Sequence, residues 1–209
     1  MKKTRISEKL RRVRQYYMRR KLKNQDFTLF CNNCVAGLVY HDFGLRFNSP
    51  TINLFIKPNH YIRLLRKLLE EGVESLEITP PSQAPSSEGR NYPVGIIDKD
   101  IEVHFLHYSN FEEAMVKWNN RLNRINMDNF YVVMLERDGC TYEDLLTFDE
   151  LPLKNKVAFV HKLYPDIKCA FFIPEYSHDI EVGRLTRYQG HWGKREYDCF
   201  DWVSFLNKK

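Results

Sequence analysis

Apolar runs rich in β-branched and aromatic residues alternate along this chain with segments of helical periodicity, and that alternation restricts the fold more than any other feature. "FTLFC" (27–31), "TINLFI" (51–56), "VESLEIT" (73–79), "YPVGIID" (92–98), "IEVHFLHY" (101–108), "NFYVVMLE" (129–136), "KVAFV" (156–160) and "KCAFFIP" (168–174) read as strands. Between them, "NHYIRLLRKLLEEG" (59–72) has a period of 3.6, with Asn59 as its cap and Gly72 as its stop. "SNFEEAMVKWNNRLNRI" (109–125) is the best-defined helix. Ser109 and Glu112 match a capping box, and Phe111, Met115, Trp118, Leu122 and Ile125 trace its apolar face. "TYEDLLTFDEL" (141–151) and "YDCFDWVSFL" (197–206) predict two shorter helices. The pattern predicts an α/β fold of three layers, with a mainly parallel or mixed sheet flanked by helices.

With 209 residues, the chain is expected to form a single α/β domain over 26–209, preceded by a basic amphipathic helix over 1–25. The Pro/Ser-rich stretch 80–89 reads as an exposed excursion within the domain. No apolar run approaches the roughly 18–20 residues of a membrane span, and no signal-type h-region is visible. Five scattered cysteines, an odd number in a chain of this size, suggest a reducing, cytoplasmic setting.

Charge is unevenly spread. Residues 1–25 carry eleven Lys/Arg against Glu8 alone, giving +10, while the rest of the chain is −5. Within that segment Ile6, Leu10, Val13 and Tyr17 recur at helical spacing. Such a helix either lies on an anionic membrane surface, through residues 1–23, or packs on the acidic body through the same stripe. Nucleic acid is not the expected partner, because the body is acidic and no nucleic-acid-binding motif is recognisable.

"CNNC" (31–34) raises three readings. A redox pair would suit a strand-to-helix turn, but a thioredoxin-like unit would be smaller and differently spaced. A zinc site lacks a second ligand pair, since Cys140, Cys169 and Cys199 stand alone. From spacing alone, two small buried hydrophobes at a strand end is the favoured reading.

Three stretches extend that reading. "CNNCVAGLVYHDFGLRFNSPTINLFI", "YPVGIIDKDIEVHFLHYSNFEEAMVKWNNRLNRINMDNF" and "FDELPLKNKVAF" resemble the bacterial Domain of Unknown Function 1919 family, some of whose members are associated with exopolysaccharide or capsule biosynthesis. The shared features are Asn-Asn-Cys, Ser-Pro-Thr, His-Phe-x-His-Tyr and the Trp-Asn-x-Arg helix. The sequence departs from the family at Cys31, where Ser or another small residue is usual. It departs also at Val35, where an aromatic is common, and at Asn120, where arginine is frequent. The resemblance therefore makes Asn32-Asn33-Cys34 the meaningful unit and Cys31 incidental.

The resemblance implies a pathway, and the residues suggest roles. Cys34 is a candidate nucleophile and His107 its candidate partner, both near strand ends where α/β proteins collect ligands. Asn32, Asn33 and His104 are candidate substrate-binding residues, although an Asx-turn or a core histidine would use the same side chains. Lys117, Arg121 and Arg124 fall at i, i+4 and i+7 opposite Trp118, followed by Asn126. They form either a solvated face or a site for a phosphate or sugar carboxylate. Asp98 and Asp100 read as a turn, with nucleotide-sugar metal binding the competing interpretation. No metal ligand is assigned, and the sequence leaves the identity of any cofactor open. The expected function is a sugar- or acyl-transferase-type enzyme acting on an activated or lipid-linked glycan, with a sugar or nucleotide-sugar substrate. The alternative is a non-catalytic glycan-binding or scaffold protein of the same pathway.

Overall fold

The computed structural model describes residues 2–80, 92–189 and 193–208, with side chains from residue 6 onward. Apart from Pro80, the Pro/Ser-rich stretch lies outside the described residues.

Four strands, β1 (Thr28–Cys31), β4 (Phe130–Leu135), β5 (Asn155–Val160) and β6 (Ala170–Phe172), pair in the order β1-β4-β5-β6. Every pairing is parallel: Thr28 lies opposite Phe130, Tyr131 opposite Asn155 and Ala158 opposite Ala170. β2 (Val94–Ile97) and β3 (Ile101–His104) form a separate antiparallel hairpin. Period-two geometry divides the sheet between two cores. Phe30, Val132, Met134, Ala158 and Val160 face α3 (Pro58–Glu71), α4 (Phe111–Leu122), α5 (Tyr142–Glu150) and the hairpin. Leu29, Cys31, Tyr131, Val133, Leu135, Val157 and Phe159 face α2 (Val35–Phe43) and α6 (Trp202–Leu206). Both faces are covered, which is why these strands read as continuous apolar runs. The expected three-layer α/β architecture is the one observed.

Several local expectations are corrected. Residues 51–56 contribute no strand to the main sheet. Asn53 adopts φ 59°, which breaks the extended run. Phe55 instead exchanges two backbone hydrogen bonds with His104, and Ile56 N–H donates to Asn32 O at 3.0 Å. Residues 73–76 form a 3-10 turn rather than a strand, because Gly72 at φ 86° turns the chain and Trp118 Nε1 donates to Leu76 O. α3 begins at Pro58 with extended Lys57 before it, so Asn59 is not its cap. α4 is capped one residue later than expected: Asn110 accepts from Glu113 N–H, and Glu113 accepts from Ser109 N–H. The closing helix is split into a 3-10 turn at Glu196–Cys199 and the short α6.

α1 (Lys2–Lys21) packs against α2, but not through its apolar stripe. Arg11, Gln15, Met18 and Leu22, spaced four, three and four, face the body. The buried Arg11 guanidinium donates to Asp42 on α2 and to Asp198 in the 3-10 turn. Gln15 Nε2 donates to Asp42 at 2.6 Å, and Arg19 Nε reaches Asp42 O at 2.8 Å. Gly193 sits at φ 63° where a Cβ would lie 2.4 Å from Arg11 N, so the backbones of α1 and residue 193 are in direct contact. The helix thus packs on the body, but the expected packing through its apolar stripe is corrected: Ile6, Val13 and Tyr17 are exposed, and the face carrying Arg11 and Gln15 is turned inward.

Candidate active site

At the carboxyl end of β1 the chain passes through Asn32, Asn33 and Cys34 into α2. Asn32 is buried and points across to β4: its Oδ1 accepts from Leu135 N–H at 3.0 Å and its Nδ2 donates to Leu135 O at 3.3 Å. The amide thus continues the β1–β4 ladder where β1 bends away. Asn33 Oδ1 accepts from Val35 N–H at 3.0 Å, closing an Asx-turn, and also from Cys31 Sγ at 3.2 Å. That turn leaves Cys34 at the N-terminus of α2, half-buried, with its thiol donating toward Leu54 O at 3.7 Å.

The role of Asn32 is testable by stability. Asn32→Ala orphans the buried Leu135 N–H, at a cost of about 1–3 kcal/mol, while Leu135 O keeps its hydrogen bond from Arg137 N–H at 3.0 Å. Chemical denaturation should therefore show a clear loss of stability. An unchanged unfolding midpoint would instead assign the amide to ligand binding.

Cys34 lines a cleft of about 560 Å³ together with Asn33, Phe55, His107, Arg137 and Arg184. That volume lies within the range of small-molecule sites. His107 arrives there because β3 ends at His104. Residues 105–108 then turn, with Tyr108 N–H donating to Phe105 O, so His107 is exposed rather than carried on a strand. Arg137 and Asp138 follow β4 after Glu136, with Arg137 Nε donating to Asp138 at 2.7 Å. Arg184 is exposed, and no ion pair or hydrogen bond ties it to another described residue.

Burial pushes the Cys34 thiol above its ordinary range, and the positive charge of Arg137 opposes that shift. Cys31 is fully buried, and desolvation pushes its thiol up to about 12. Both are free thiols. Two cysteines protonated at neutral pH, one of them sealed in the core, do not make a redox pair.

The other candidates lie elsewhere. His104 is buried behind Phe55, with its Nε2 3.2 Å from Glu102 and its ring 5.3 Å from that of Phe55. Arg121 is buried on the flank of Trp118 rather than opposite it; its Nη1 donates to Tyr108 OH at 2.6 Å and its guanidinium lies 5.3 Å from the Phe47 ring. Arg124 Nη1 donates to Phe47 O at 2.9 Å. Asn126 N–H donates to Thr28 Oγ1, and its amide donates to Asp26. Arg124 and Asn126 brace the loop after α2 and the start of β1, at the sheet end opposite the cleft, whereas Arg121 holds Tyr108, the neighbour of His107. Lys117 is exposed. Asp98 and Asp100 occupy the β2–β3 turn, where they pair with Lys67 and Arg63 of α3. Among the described residues no group of three or more His, Cys, Asp or Glu side chains is arranged to hold a metal ion.

Sequence reasoning missed Arg137 and Arg184. It also missed buried Glu136, which accepts from His161 N–H at 2.8 Å and from Tyr164 OH, with His161 Nδ1 at 2.7 Å from the same carboxylate. "LERDG", charged residues at the end of a fully apolar strand, carried a signal for Glu136 and Arg137. Arg184 sits in an irregular segment without periodicity, and nothing in the sequence marked it.

Fold and cleft together define an α/β protein with a mainly parallel sheet and a half-buried thiol at a helix N-terminus, which shares one cleft with an exposed histidine and two arginines. No helix among the described residues is long and apolar enough to cross a membrane. The chain belongs to the family described as domain of unknown function (DUF1919), whose family model matches residues 5–207 and so takes in most of α1. It is also 39% identical over 190 residues to an uncharacterized protein of Haemophilus influenzae (strain ATCC 51907 / DSM 11121 / KW20 / Rd), a match covering 91% of this chain and 88% of the relative.

Proposed function

We propose that this protein is a transferase of surface-polysaccharide assembly, moving an acyl or glycosyl group from an activated, phosphate-bearing donor to a glycan. The observation that carries the reading is convergence: Cys34 and His107, distant in sequence, line one cleft beside the untethered Arg184. Arg137 and Arg184 supply positive charge for the donor's phosphate. His107 takes the thiol proton as Cys34 Sγ bonds to the transferred group. The donor's leaving group departs with its electron pair on the arginine side. A glycan hydroxyl then displaces the sulfur, giving its proton to the departing thiolate.

A thiol held above its ordinary range favours one competing reading, a cleft that binds glycans without catalysis. Ligand-dependent stabilisation separates the cases. Nucleotide sugars and sugar phosphates should stabilise the fold by about 2.7 kcal/mol at a hundredfold excess over Kd and so raise the thermal midpoint. Arg184→Ala should lose that shift while keeping the unliganded midpoint, because Arg184 is exposed. A shift that survives in Arg184→Ala removes the anion-binding assignment. Binding without turnover, unaltered by Cys34→Ser, leaves the non-catalytic reading standing.

A further inference from the structure

The outward face of α1 is built the wrong way round for a helix that only packs. Its buried side is polar and charged, centred on Arg11 and Gln15. Half a turn away, Ile6 (60%), Val13 (55%), Tyr16 (55%) and Tyr17 (60%) stand exposed. Lys9, Arg12 and Arg20 are exposed among or beside them. At 100° per residue, Ile6, Lys9, Val13, Tyr16, Tyr17 and Arg20 fall within about a third of the helix circumference. Glu8, the single acid of residues 1–25, projects from the flank instead.

The acidic groups that could neutralise this helix are engaged on its other side. Asp42 and Asp198 hold Arg11, and Arg14 Nε lies 3.6 Å from Asp198. Lys9, Arg12 and Arg20 form no ion pair among the described residues; Arg20 donates to Tyr16 OH at 2.9 Å and stacks over that ring. Aliphatic side chains, tyrosines and lysine or arginine on one exposed helix face match the interfacial zone of a bilayer. There the rings sit at headgroup level and the cations reach lipid phosphates.

We infer that α1, held rigidly on the domain through Arg11, docks the protein on an anionic lipid surface through Ile6, Val13, Tyr16 and Tyr17 with Lys9, Arg12 and Arg20. A second copy of this chain is a poorer occupant, because a two-fold contact would set the same cations against one another. Nucleic acid is poorer as well, because phosphates would leave the four apolar side chains uncovered. This inference does not depend on the proposed transfer chemistry. Both α1 and the cleft remain accessible to separate tests.

The test uses the full chain, since α1 is part of the fold. Sedimentation with phosphatidylcholine–phosphatidylglycerol vesicles should pull the protein down, whereas pure phosphatidylcholine vesicles should not, and binding should fall as salt rises. Val13→Gln with Tyr17→Gln should abolish binding at an unchanged thermal midpoint, since both positions are exposed. Lys9→Gln and Arg20→Gln should each weaken it about fivefold. Three results would overturn the inference. One is equal recovery with both vesicle types, or with neither. Another is wild-type binding by the Gln variants. The third is a dimer in light scattering that Val13→Gln with Tyr17→Gln splits, which would assign the face to a second copy. Salt-sensitive binding to duplex DNA with no vesicle binding would likewise assign it to nucleic acid.

Discussion

Arg11→Ala is expected to cost about 3–5 kcal/mol of folding stability, the usual penalty when one partner of a buried ion pair is removed. Arg11 is buried at the junction of three distant segments. It donates to Asp42 and Asp198, to Tyr197 OH at 2.5 Å and to Gly193 O at 3.3 Å. Burial alone would lower the guanidinium pKa, but Tyr197, Asp42 and Asp198 outweigh it and leave the group firmly charged. Without Arg11 two carboxylates stay enclosed with too few donors. Asp42 would keep Gln15 Nε2 and Tyr197 OH, and Asp198 would keep Arg195 N–H with Arg14 Nε at 3.6 Å, so neither retains a close cation in place of the lost guanidinium. For a chain of this length the loss corresponds to a fall of roughly 6–20 °C in the thermal midpoint. Neighbouring Arg12 is exposed, so Arg12→Ala should stay within about 0.5 kcal/mol of wild type. Removing residues 1–23 should likewise prevent stable folding, because it takes away Arg11 and the buried Leu22 together. Coincident denaturation curves for Arg11→Ala and Arg12→Ala would show that α1 is a dispensable arm.

The largest functional effects are expected at Cys34 and His107. Under the proposed transfer mechanism Cys34→Ala should abolish turnover, and His107→Ala should lower it by about 10²–10⁴, the usual contribution of a positioned general base. His107 is exposed, so its variant should unfold at the wild-type midpoint. Cys31→Ser should leave both activity and fold nearly intact, since a serine hydroxyl can keep the hydrogen bond to Asn33 Oδ1. The pH dependence follows from the thiol. Burial raises the Cys34 pKa, so less thiolate is present at any pH below it. Activity limited by thiolate should therefore keep climbing as pH rises past the ordinary thiol range and level off only above the raised pKa of Cys34. Alkylation by iodoacetamide should follow the same limb at Cys34. At Cys31, fully buried and with its thiol pushed up to about 12, alkylation should stay far slower than at Cys34 until the protein unfolds. A rate that is flat across the alkaline range, or equal labelling of both cysteines in the native state, contradicts this assignment.

Strand identity was legible where the chain is buried on both sides. Thr28–Cys31, Phe130–Leu135 and Asn155–Val160 carry unbroken apolar character because helices cover both faces of a parallel sheet. The apolar face of α4 was equally legible, since 3.6-residue periodicity survives in any tertiary context. Residues 51–56 show the limit. They have strand composition, but Asn53 turns left-handed and the segment is spent on a bridge to His104. Of the candidate site residues, the strand-to-helix turn pointed to Asn33 and Cys34, and the end of the expected strand 101–108 pointed to His107. Those positions follow from connectivity. The arginines do not. Arg121 looked solvent-facing, yet Tyr108 and Phe47 receive it, whereas Arg137 and Arg184 take the cleft.

The same division explains α1. Its helical character, its charge and its two-sided pattern are properties of local spacing, and residues 2–21 carry them wherever the helix lies. Which side faces inward depends on partners far away in the sequence. Asp42 and Asp198 are brought together only when α2 packs beside the closing turn, and a pair of buried carboxylates there requires a cation more strongly than it tolerates an apolar stripe. A pattern along one helix contains no record of that demand. The tertiary structure therefore turned Arg11 inward and left Ile6, Val13 and Tyr17 facing out.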